Sequence, residues 1–221
     1  MHVPDGFLSS PTCAVTGAVA VAGVALAHRA SRRELGDDGV PMAALVTSFV
    51  FAAQMVNVPI AAGISGHVMG GALAAVLVGP ATATLCLSAV LLVQAVVFAD
   101  GGITALGTNV VLMALVGVWV GWAVHRAVLR FARSDAAVAI GAGLGALASV
   151  VASAVTFTGL YAAGGHVDVP LDDLAASMIR WHSLIGVGEG IVTAVVVALV
   201  LATRRDAALP GRPVAREAAA R

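Results

Sequence analysis

The chain has no lysine, and only 11% of its 221 residues are charged, 12 Arg against 12 acids. Soluble domains average about 25% charged and about 45–50% apolar residues. Here 60% is apolar and the mean hydropathy is +0.99, which excludes a water-soluble globule. Without lysine there is no Walker A loop, whose Lys must reach the nucleotide phosphates, so ATP hydrolysis by that route is excluded. Zero net charge and the lack of a basic block argue against a nucleic-acid partner. Cysteine is scarce: Cys13 and Cys86 both lie in apolar stretches and read as small buried hydrophobes rather than a disulfide or metal pair. The first residues lack the basic region of a secretory signal, so the mature chain is expected to begin at Met1.

What is there is apolar and long. Between residues 40 and 124 the only formal charge is Asp100, and between 181 and 203 it is Glu189. Seven apolar segments follow, at 11–28, 42–58, 67–79, 81–99, 103–124, 136–162 and 181–203. Most match the roughly 20 residues a helix needs to cross the hydrocarbon layer. All are expected to be helical, because lipid-exposed backbone must satisfy its own hydrogen bonds. The segment 67–79 is short and covers only about 20 Å.

Charge decides whether it counts as a crossing. Arg29, Arg32 and Arg33, then Arg126, Arg130 and Arg133, then Arg204 and Arg205 form basic clusters, whereas the loop 164–180 carries Asp168, Asp172 and Asp173. Basic loops are cytoplasmic, and only seven crossings put all three clusters on that side. The expectation is an all-α bundle of seven transmembrane helices with a Gly-rich, partly re-entrant loop. Residues 1–203 form one bundle with the N-terminus outside, and 204–221 a flexible cytoplasmic tail. Dense small residues, such as Gly117 and Gly121, or Gly141, Gly143 and Gly145, are expected to pack helices within the bundle.

In so apolar a chain the few polar residues are legible. His28 and His125, beside arginines at segment ends, read as interfacial side chains, and His166 as solvated. His2 differs. The α-amine of Met1, the His2 amide and the His2 imidazole form one three-nitrogen chelate. The amine loses its proton readily near neutrality. The amide yields its own only to a strongly Lewis-acidic ion such as Ni²⁺ or Cu²⁺, and these favour planar nitrogen sets. One corner stays open for another imidazole. His67 stands in GISGHVMGG (63–71) among glycines at membrane depth. It is either that fourth donor, since an intramembrane ionisable residue is a functional-site hypothesis, or a neutral imidazole bonded to a backbone carbonyl. His182 and Glu189, two turns apart, share one helix face. Glu189 could orient a ligand histidine, relay protons or serve as a structural hydrogen-bond hub. Gln54, Asn57, Gln94, Asp100 and Asn109 could bond loop backbone.

The start MHVPDGFLSSP and the stretches at 49–80, 94–110 and 182–194 resemble the CbiM/NikM family over roughly residues 1–200. These are the substrate-binding (S) membrane components of energy-coupling factor (ECF) ABC transporters for cobalt and nickel. The resemblance implies a seven-helix bundle with its N-terminus outside, in a bacterial or archaeal cell (inner) membrane. It also implies metal ligands at Met1, His2 and His67, with Asn57, Ser65, His182 and Glu189 as candidates to brace them. The metal, Ni²⁺ or Co²⁺, is cargo rather than cofactor. The implied partners are a transmembrane T component, cytoplasmic ATPases and a small accessory membrane subunit. The loop reads SGHVMGG rather than the CSHPTG form of cobalt members, which points to nickel. The expected function is metal capture, not enzymatic. The rivals are an intramembrane metalloenzyme using His67, His182 and Glu189, which lacks an HExxH motif or a paired nucleophile, and a passive small-solute channel.

Overall fold

The computed structural model describes residues 1–35, 39–61 and 64–203, with Ala61 and Ile64 described by backbone alone. Its seven helices are α1 (Ser10–Glu34), α2 (Gly39–Gln54), α3 (Gly71–Val78), α4 (Pro80–Val97), α5 (Leu106–Phe131), α6 (Asp135–Gly164) and α7 (Leu171–Thr203). Five of them, α1 and α4 to α7, are long and apolar enough to cross a membrane. The helix boundaries have local causes. Proline stands in the first turn of α1 and of α4, where its missing N–H is not needed. Ser134 accepts a hydrogen bond from the Ala137 amide and caps α6. Arg32 and Arg33 close α1 on the negative end of its dipole.

The third crossing is not a spanning helix. Expected over 67–79, it begins only at Gly71, and its eight residues, all buried, rise about 12 Å. The remaining depth is covered by the non-helical residues 67–70, which are tolerated because protein rather than lipid surrounds them. The break between α3 and α4 is at Gly79, whose φ is +87°. Beside it the Glu34 carboxylate accepts hydrogen bonds from the Ala81 and Thr82 amides and the Thr82 hydroxyl, so the end of α1 caps the start of α4. The segment expected to be helical to residue 58 instead leaves the helix at Gln54. It then enters a short antiparallel hairpin, β1 (Val58–Ala61) with β2 (Ile64–Gly66), pairing Val58 with Gly66 and Pro59 with Ser65. Most of the acidic stretch 164–180 is helix as well, since α7 starts at Leu171.

Among the described residues the N-terminal segment and the arginine clusters of α1 and α5 lie at opposite ends of the bundle. The N-terminal segment lies against the turn after α6, with the Ser9 amide bonded to the Gly164 carbonyl and the His166 amide to that of Phe7. Phe7 packs between Phe157 and Tyr161. Arg29, Arg32 and Arg33 close α1, and Arg126 and Arg130 close α5 with Arg133 just beyond, all at the opposite end. Arg204, Arg205 and the expected tail 204–221 lie outside the described residues.

The glycine spacing serves internal packing. A Cβ on Gly145 would stand 2.5 Å from the Gly121 carbonyl oxygen, and one on Gly143 would stand 2.7 Å from that of Gly190. His125 is buried rather than interfacial, because Trp122 stacks on its ring at 5.6 Å and α6 passes it at Gly141. Within α5, Val110–Gly117 is wound as a π-helix. There the Ser153 and Thr84 hydroxyls donate to the Leu112 and Ala114 carbonyls.

Candidate metal centre at the folded-in N-terminus

Residues 1–9 have no apolar periodicity, yet Met1 and Val3 are 1% exposed and His2 6%. Side chains from the bundle hold this segment in. The Asn109 carboxamide brackets one residue, accepting from the Val3 amide at 2.8 Å and donating to its carbonyl at 3.1 Å. The same carbonyl accepts from the Gly102 amide. Asp5 accepts hydrogen bonds from the Ile103 and Thr104 amides and the Thr104 hydroxyl, which hold its exposed carboxyl below the ordinary value. Gly101, at φ +94°, leaves the room that His2 needs: a Cβ there would lie 3.3 Å from the ring.

Inside this clasp the donors converge. The His2 and His67 rings stack with centroids 4.5 Å apart and planes 23° from parallel. His2 Nε2 lies 3.1 Å from Gln94 Oε1. Nδ1 faces the Asp100 carboxylate, 3.1 Å from Oδ1. It is also the only ring nitrogen able to close a six-membered chelate with the His2 amide. His67 Nδ1 donates to the Val68 carbonyl at 2.8 Å, which puts its lone pair on Nε2, buried and unpartnered. The backbone-carbonyl bond of the second sequence reading is therefore present, on Nδ1. Burial pushes the Met1 α-amine from its ordinary value near 8 down to about 4, against the opposing fields of Asp100 and Glu189. At neutral pH it therefore offers a lone pair. Among the described residues no three His, Cys, Asp or Glu side chains stand close enough to hold a metal by themselves. The amine and amide nitrogens are what would complete a donor set.

The bracing candidates divide. Asn57 is exposed and reaches the site indirectly, donating to Asp100 Oδ2 at 3.0 Å. Ser65 sits in β2 opposite Pro59, with no hydrogen bond to the donor groups among the described residues. His182 is fully buried. Its Nδ1 donates to the Met178 carbonyl at 2.9 Å, and its Nε2 has no partner. Glu189 makes no hydrogen bond to His2 or His67 among the described residues. Its oxygens accept from the Met69 and Gly70 amides at 2.7 and 2.8 Å, just beyond His67, while Gln54 Nε2 donates to the Met69 carbonyl at 2.7 Å. Gln54 and Asn109 do bond loop backbone, whereas Gln94 and Asp100 face His2 itself. Nothing in the spacing marks those two, because they meet His2 only through the fold.

These features define a class: a polytopic membrane protein that folds its own N-terminus into a buried, nitrogen-rich chamber. Residues 2–207 match the family described as the cobalt uptake substrate-specific transmembrane region. The chain belongs to this family, CbiM, of membrane components for cobalt and nickel uptake. It is 39% identical over 217 residues to a putative fused nickel transport protein NikMN of Archaeoglobus fulgidus, covering 96% of this chain and 70% of that protein. It is 33% identical over 214 residues to the cobalt transport protein CbiM of Sorangium cellulosum, covering 93% of each. A crystal structure of a truncated transition metal transporter superposes with a TM-score of 0.81 at 32% identity, over 91% of this chain and 99% of that one. These relatives are transport proteins, which leaves the metalloenzyme reading without support.

Proposed function

We propose that this chain is the substrate-capturing subunit of an ECF-type ABC transporter. In this reading it binds Ni²⁺, with Co²⁺ as the weaker competitor, from the outer face. Import is driven by ATP hydrolysis in cytoplasmic partner subunits, reached through a transmembrane T component and aided by a small accessory membrane subunit. The basic ends of α1 and α5 support a cytoplasmic placement for that side and an outer placement for Met1.

The observation that carries the reading is the stacked pair His2 and His67 beside the buried N-terminus, with His67 Nε2 buried and without a hydrogen-bond partner. An unsatisfied buried acceptor costs about 1–3 kcal/mol, and a metal ion would satisfy His67 Nε2. The ligands are the Met1 amine, the His2 amide and Nδ1, and His67 Nε2. Deprotonating an amide suits Ni²⁺ better than Co²⁺, and a planar nitrogen set favours it further. The ion enters while the N-terminal segment is open and is enclosed as Asn109 and Asp5 dock that segment. Partner-driven rearrangement then frees the segment, and reprotonation of the ligands favours release inward.

Equilibrium binding with Ni²⁺ and Co²⁺ in competition tests this on the purified full chain and on His67→Ala. Nickel should outcompete cobalt. The variant should lose more than about 100-fold in nickel affinity, because even partners outside the ligand set typically cost 10–100-fold. Undiminished binding in His67→Ala would remove the fourth donor from the account.

A further inference from the structure

The buried carboxylate of Glu189 is spent entirely on backbone. Each oxygen accepts from one of two consecutive amides, Met69 and Gly70, and these are its hydrogen bonds among the described residues. These amides lie between His67 and the first residue of α3, in the stretch that carries no helical hydrogen bonds of its own. The Met69 peptide is pinned from the other side by Gln54 on α2. Gly70 adopts φ +74°, and a Cβ there would strike Val50 at 2.7 Å. Gly71 abuts the backbone of α5 at Gly117 and Val118. Three helices therefore converge on residues 69–71, and Glu189 supplies the only charged contact among them in the described residues.

We infer that Glu189 is a positioning residue that sets the metal preference of the site, by holding the Met69–Gly70 backbone so that His67 Nε2 lies in the plane of the N-terminal chelate. This rests on the ligand set proposed above. His67 is bonded to the carbonyl of its own neighbour, Val68, so its ring moves with this loop. Slack at residues 69 and 70 passes directly to Nε2. A planar nitrogen site is spoiled when its fourth donor leaves the plane. An ion such as Zn²⁺, with no planar preference and a tetrahedral habit, tolerates that displacement. Releasing the clamp should therefore cost nickel far more than zinc.

The test uses the full chain in detergent, with Glu189→Gln and Glu189→Asp. A carboxamide accepts one amide N–H but turns an NH₂ group towards the other, whereas aspartate keeps both acceptors and retracts them by one methylene. Nickel and zinc affinities are measured by chelator competition, together with the visible absorption and magnetism of the nickel form. Glu189→Gln should weaken nickel by about 10–100-fold with zinc changed by less than about threefold, and the low-spin planar signature should give way to a paramagnetic one. Glu189→Asp should fall between this and the parent. An unchanged nickel spectrum and nickel-to-zinc ratio in folded Glu189→Gln overturns the role. So does an equal loss for both ions, or failure of both variants to fold, either of which makes Glu189 a purely structural group. His67→Ala in the same series separates the two levels of the claim. If it keeps the parent nickel signature, the ligand set itself fails and the positioning role with it.

Discussion

The N-terminal end and the body of this bundle are built by different means. Around Met1 the chain is held by polar side chains reaching across long sequence separations: Asn109 to Val3, Asp5 to Thr104, Gln94 to His2, Gln54 and Glu189 to the loop at 69–70. In the body of the bundle, helices meet through absent side chains, with Gly121 on Gly145 and Gly143 on Gly190. The difference follows from what each part must hold. Helices satisfy their own backbone, so close van der Waals approach is enough to join them. The N-terminal segment and the loop at 67–70 have no such internal bonds, and at membrane depth each free amide or carbonyl must find a partner. The end rich in polar contacts is therefore where irregular backbone, and with it a metal site, can be kept in place.

Breaking one part without the other tests this division. The largest effect is expected from Asn109→Ala, which leaves the buried Val3 amide without its partner and its carbonyl with one fewer. Each buried group left unsatisfied costs about 1–3 kcal/mol, so the N-terminus should dock poorly and nickel affinity should fall about 10–100-fold by chelator competition. The seven-helix body should persist by circular dichroism. Gly145→Ala should do the reverse. Forcing a methyl against the Gly121 carbonyl should lower stability by about 1–3 kcal/mol, read as a drop in the thermal midpoint, with nickel affinity unchanged in the folded fraction. The smallest signal is a proton count. Burial pushes the docked amine down to about 4 from its free value near 8, so the undocked state binds the extra proton between those values. Docking must then strengthen as pH rises through that window. At pH 7 the docked amine has no proton to lose. Calorimetry in buffers of different ionisation enthalpy should therefore report about one proton released per Ni²⁺, from the His2 amide. Release of about two would mean that the amine stays protonated in the folded protein.

Much of the body was legible in the sequence, because charge-free runs of this length have few alternatives to spanning helices. His2 and His67 were legible for the same reason, as rare polar residues at unusual places. The hairpin at 58–66 was not, since the VPIA stretch continues an apolar run and only its contact with β2 makes it a strand. The start of α3 at Gly71 was hidden because nothing in GISGHVMGG distinguishes helical from pinned backbone; Glu189 and Gln54 make that decision from other helices. Asp100 and Gln94 were visible as polar groups, yet their approach to His2 depends on the turn at Ala99–Gly101, where Ala99 holds φ +53° and Gly101 +94°.

The central claim is that the chain's own N-terminus is a ligand. The most direct measurement is nickel affinity of a chain carrying one extra residue before Met1, beside the parent and His67→Ala. The extension moves the free amine away from His2 without substituting any side chain. The account predicts loss of the planar nickel signature and of tight binding, at least as severe as in His67→Ala. Parent-like affinity with an unchanged spectrum would contradict it and place the ion elsewhere.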